Sequence, residues 1–159
     1  MTFIVKTTTS LLLGCILICC TSSNAVAQKA NTVFNRCSNK IDQINENVTE
    51  AQRQTVEKCV QTVDRLLELG EFLEARQAAQ RCRNRLDSLT ERGTRSLRET
   101  CQPCLETLRE LGALNLARRL QDRCETNAQQ LEQQNQRAQN AIDELFCCLL
   151  YTSPSPRDS

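Results

Sequence analysis

The sequence predicts an all-α protein built of antiparallel helical hairpins, in a short repeat array or bundle, stapled by disulfides. Three observations lead there. Apolar residues recur every three to four positions along segments rich in helix formers, with no β-branched runs in the repeated part. Isolated glycines at 70 and 112 punctuate those segments. Cysteines recur at regular intervals around the glycines.

The helical segments come in chain order. A first helix is expected around 31–46, ending near Asn47-Val48-Thr49. Val56, Cys59, Val60, Val63, Leu66 and Leu67 then keep helical spacing up to Gly70. Phe72, Ala75, Ala79, Cys82, Leu86 and Leu89 do the same beyond it. Thr90-Glu91-Arg92-Gly93-Thr94 reads as a second turn. Leu97, Cys101, Leu105 and Leu108 lead to Gly112, and Leu114, Ala117 and Cys124 follow. Residues 57–83 laid over 99–125 align Cys59 with Cys101, Leu69-Gly70 with Leu111-Gly112 and Arg81-Cys82 with Arg123-Cys124. A further match sets Arg36-Cys37 over Arg81-Cys82 and Asp42 over Asp87. Repeats of this length belong to helix pairs.

Gly70-Glu71-Phe72-Leu73-Glu74-Ala75 resembles the turn and second-helix start of tetratricopeptide repeats, and Gly112-Ala113-Leu114-Asn115-Leu116-Ala117 is a looser version. The resemblance implies αα-hairpins of that general style. The longer period, the missing terminal proline and the cysteines depart from that family's pattern.

The two ends read differently from the middle. Residues 1–27 form a signal-peptide pattern: Lys6, the apolar run Leu11–Cys20, and Ala25-Val26-Ala27 as a small-x-small cleavage site. That run is too short to span a bilayer, so no stable membrane span is expected. A lipoprotein box at Leu12-Leu13-Gly14-Cys15 is the rival reading, weakened because Ile16, Leu17 and Ile18 continue the apolar run. At the other end, Cys148–Asp158 resembles the in-frame translation of a transposase-based sequencing adapter, and Pro154 and Pro156 break the helical pattern. A natural chain continuing differently past Cys147 is the expectation. The domain is then 28–147.

The cysteines carry the most specific expectation. Gly70 lies 11 residues after Cys59 and 12 before Cys82, and Gly112 lies 11 after Cys101 and 12 before Cys124. In an antiparallel pair, residues equidistant from the turn face each other at one height, which brings their Cα atoms within disulfide reach. Cys59–Cys82 and Cys101–Cys124 are therefore predicted. Cys37 and Cys104 remain, to pair with each other or with a cysteine beyond Cys147. The rival register links Cys37–Cys59 and Cys82–Cys101 across the expected turns at 47–49 and 90–94. Cys101-Gln102-Pro103-Cys104 is also a CxxC, but a redox site would need strands around it and a zinc site a second ligand pair. Pro103 suits a disulfide-bonded first helical turn or a kink.

Composition narrows function by exclusion. The chain contains no His, which removes the commonest general base and metal ligand. No catalytic constellation, metal set or cofactor site replaces it, so an enzyme is not expected. Of 20 Lys and Arg, Lys6 and Arg157 lie in the two ends, as does Asp158 of the 19 Asp and Glu, which leaves 18 of each between them. That balance argues against nucleic acid as a partner. Asn47-Val48-Thr49 is a glycosylation sequon, expected on a loop. The Arg81, Arg83 and Arg85 cluster with Arg76 could contact an acidic partner, and pairing with Glu residues along the helix is the plainer expectation. The Gln-rich stretch 129–140 reads as a solvated helix face. The leading expectation is a secreted, extracellular, non-enzymatic binding protein whose partner is a protein or a small apolar ligand. The alternatives are a secreted cysteine-rich toxin or effector-like polypeptide and an extracellular carrier of apolar ligands.

Overall fold

A computed structural model describes the backbone of residues 8–150 and the side chains of 24–146, and three long helices make up these described residues. They are α1 (Thr8–Glu68), α2 (Phe72–Glu110) and α3 (Leu114–Leu150). The glycine turns are where the sequence puts them. Gly70 (φ 75°) and Gly112 (φ 69°) occupy the left-handed region, which costs a residue without a Cβ nothing. Around the first, the Gly70 and Glu71 amides donate to the Leu67 and Leu66 carbonyls at 3.0 and 2.9 Å. Around the second, Gly112 and Ala113 donate to Arg109 and Leu108, both at 2.9 Å. Both are Schellman closures, which satisfy the last carbonyls of α1 and α2 and reverse the chain.

Two expected breaks are absent. Asn47-Val48-Thr49 lies inside α1, and Thr90–Thr94 inside α2. The reason is tertiary. A Cβ on Gly93 would stand 2.8 Å from Val48 Cγ2 and 3.1 Å from Leu131 Cδ1. Gly93 is therefore a notch where α1 and α3 approach α2 closely, and its backbone stays helical. The neighbouring polar residues bond within the bundle. Gln52, only 3% exposed, donates from Nε2 to Thr90 Oγ1 at 2.8 Å, and Thr90 donates to the Leu86 carbonyl at 2.9 Å. Pro103 too lies inside α2 and not in a first turn.

Each helix packs on both others, so the hairpins α1–α2 and α2–α3 share α2 and fold into a closed three-helix bundle. The core is divided. One half gathers Ile41, Leu97, Leu108, Leu120 and Leu131, the other Val63, Ala75, Ala79, Leu86 and Ile142. Among the residues expected on apolar faces, Phe72 (58% exposed) and Leu114 (65%) are not buried. Both open a helix immediately after a glycine turn. Among the described residues no helix is long and apolar enough to cross a membrane.

Candidate functional site

Among the described residues three disulfides tie the helices, and a groove lies beside each. Cys59–Cys82 joins α1 to α2 with Cα atoms 6.0 Å apart. Cys101–Cys124 joins α2 to α3 at 6.4 Å. Both are the pairs that the equidistance argument selects. Cys37–Cys104 is the third, at 6.3 Å, and joins α1 to α2 a second time, toward the other end of that helix pair from Cys59–Cys82. The rival register is not formed. The CxxC splits: Cys101 reaches α3 and Cys104 reaches α1, so one turn of α2 clamps both neighbours. Neither sulfur is a free thiolate able to bind a metal or to cycle with the other. Among the described residues no three Cys, Asp or Glu cluster around a common metal position. The side chain of Cys147 lies outside the described residues, as do residues 151–159 and the side chains of 1–23 and 148–150.

The same sequence rule locates the third bridge once the helices are continuous. Cys37 is 33 residues before Gly70 and Cys104 is 34 after it. The expected turns at 47–49 and 90–94 had hidden that symmetry.

Ion pairs add orientation across the bundle. Arg123 on α3 donates to Asp42 on α1 through Nε at 3.2 Å and also through Nη2. Arg83 on α2 pairs with Asp143 on α3. The Arg83 partner is thus a helix away, and not a Glu along α2 as the sequence suggests. Asp87 accepts from Asn135 at 2.8 Å and Gln139 at 2.6 Å, so the Gln-rich face of α3 is partly an interhelical seam. Thr49 contributes to it, donating to Gln134 at 2.8 Å. Asn47, the other end of the sequon, is exposed on α1, on a helix and not on a loop. On the same helix, hydrogen bonds from Arg53 and then Gln54 hold the Glu50 carboxyl down at about 2.

The grooves differ in charge. The one beside Cys101–Cys124, about 470 Å³, mixes Arg98 and Arg109 with Glu106, Glu125 and Glu132. The one beside Cys59–Cys82, about 380 Å³, presents Lys58, Arg81, Arg85 and Arg92 and no carboxylate. Arg81 and Arg85 stand out in the sequence as a cluster, whereas Lys58 and Arg92 do not. Their signal was the lack of acidic residues three or four positions away. Comparison with family models, curated proteins and solved structures finds no match.

Proposed function

We propose that the chain is a secreted, extracellular, non-enzymatic binding protein that uses the disulfide-clamped bundle as a rigid surface. The observation that carries this reading is the set of three disulfides among the described residues, two tying α2 to α1 and one tying it to α3. Such bonds persist in oxidising compartments and are rare in reducing ones. A core of Leu, Ile, Val and Ala with few aromatics gains most from such staples. The signal-peptide pattern supports the same compartment, and Ala30, just beyond the Ala25-Val26-Ala27 site, is the first buried side chain described in α1. The exposed Asn47 suits a glycan. A chain without His, its Cys101 and Cys104 both bridged, lacks the usual nucleophile–base pairing.

Expression of the open reading frame in a secretory cell line tests the reading. The expected product is found in the medium, begins at Gln28, carries no free thiol at the six bridged cysteines, and shifts on glycosidase treatment. A product retained in cells, beginning at Met1 and reduced, contradicts it.

A further inference from the structure

We infer that the groove between α1 and α2 beside Cys59–Cys82 binds a sulfated oligosaccharide through Lys58, Arg81, Arg85 and Arg92. This deepens the binding-protein reading and rests on it.

The four cations are exposed and, among the described residues, none forms an ion pair. The sequence explains why. Lys58 has Gln54, Thr55, Gln61 and Thr62 at helical neighbour positions, Arg81 has Gln77, Ala78, Asn84 and Arg85, and Arg92 has Ser88, Leu89, Arg95 and Ser96. No carboxylate stands three or four residues from any of them, nor from Arg85. What sets this groove apart is a lining without a carboxylate, where the groove beside Cys101–Cys124 holds Glu106, Glu125 and Glu132, and nearby Arg53 meets Glu50 and Glu57. Glu50 and Glu57 are thereby engaged away from the groove.

The internal repeat shows that the fold does not require these charges. The positions 42 residues on from Lys58, Arg85 and Arg92 are Thr100, Asn127 and Gln134. Arg81 maps to Arg123, which is neutralised by Asp42. In that second hairpin the face is covered by α1, and Thr100 and Asn127 are each 8% exposed. In the first hairpin the same face is open, and its charged side chains are all cations.

The shape of the array points to a linear anion. Arg81 to Arg92 spans about 16 Å along α2 at 1.5 Å per residue. Lys58 faces the start of that row from α1, close in height to Cys82. Three of the four cations are Arg, whose planar fork fits an oxyanion through two parallel hydrogen bonds. Thr62 also lines the groove; its hydroxyl donates to the Lys58 carbonyl, which leaves its oxygen able to accept from a sugar hydroxyl. The lining holds no aromatic side chain. Single-stranded nucleic acid, which is held largely by base stacking on aromatics, is therefore poorly served.

The test uses the full oxidised chain and a size-defined heparin-derived octasaccharide, followed by calorimetry at several salt concentrations. The chain is expected to bind it, and a chemically desulfated octasaccharide is expected not to bind. Arg81→Gln with Arg85→Gln should weaken binding about tenfold or more and reduce the salt slope by about one per charge. Arg98→Gln with Arg109→Gln, in the mixed groove, should leave affinity within about twofold. Lys58→Gln with Arg92→Gln is an independent second variant, and circular dichroism checks that each variant folds. Undiminished binding by both groove variants overturns the proposal, as does tighter binding of single-stranded DNA or polyphosphate than of the octasaccharide. A chain that is secreted with its disulfides but ignores the octasaccharide overturns the groove and leaves the binding-protein reading standing.

Discussion

Gly93 shows what a single residue does here. In an exposed helix, replacing Gly with Ala gains about 1 kcal/mol in helix propensity. At Gly93 the added Cβ meets Val48 and Leu131 inside a packed interface, where overpacking costs about 1–3 kcal/mol. Gly93→Ala is therefore expected to lower stability, by about 1 kcal/mol net. Val48→Ala should remove most of that loss when combined with it, because the two side chains share one space. Urea denaturation of the single and double variants measures both effects; a Gly93→Ala chain more stable than the parent contradicts the notch. The same residue explains a misreading of the sequence. Thr90-Glu91-Arg92-Gly93-Thr94 has the composition of a turn, and only the approach of Val48 and Leu131, distant in sequence, makes it helix. Nothing local marks that approach. Phe72 and Leu114 mislead in the opposite sense: their periodicity is right, but they open helices directly after the glycine turns and stay exposed.

At the scale of elements, the turns and two of the bridges were legible because their causes are local. Gly70 and Gly112 close the helices by their own backbone freedom, and equal distances from a turn put Cys59 opposite Cys82 and Cys101 opposite Cys124. The charges of the α1–α2 groove were half legible: Arg81 and Arg85 stand out as a cluster, Arg92 joins them once α2 runs unbroken through 90–94, and Lys58 joins only when α1 pairs with α2. Bridge removal separates the elements. Cys59→Ala with Cys82→Ala reopens a 23-residue separation and is expected to cost about 3 kcal/mol. Cys37→Ala with Cys104→Ala reopens 67 residues and is expected to cost about 4 kcal/mol. The first loss should raise amide exchange around Val63 and Ala75, and the second around Ile41 and Leu108, at the other end. Denaturation midpoints with exchange mapping check this. Equal loosening of both ends by either pair would show that the two halves of the core do not respond separately.

The whole molecule is a closed bundle in which α2 is bonded covalently to both neighbours. That closure was not legible. The sequence suggests hairpins with breaks at 47–49 and 90–94, and those breaks would have allowed an open array and a different set of bridges. Continuous helices bring Cys37 and Cys104 to one height and leave a single turn of α2 holding α1 and α3 together. Trypsin digestion without reduction tests this most directly. The cleavage sites flanking the cysteines yield fragments 37–40, 59–65, 82–83, 99–109 and 124–137. Two disulfide-linked species are expected: 59–65 joined to 82–83, and 99–109 joined at once to 37–40 and 124–137. Fragment 37–40 joined to 59–65, or 82–83 joined to 99–109, would contradict this pairing.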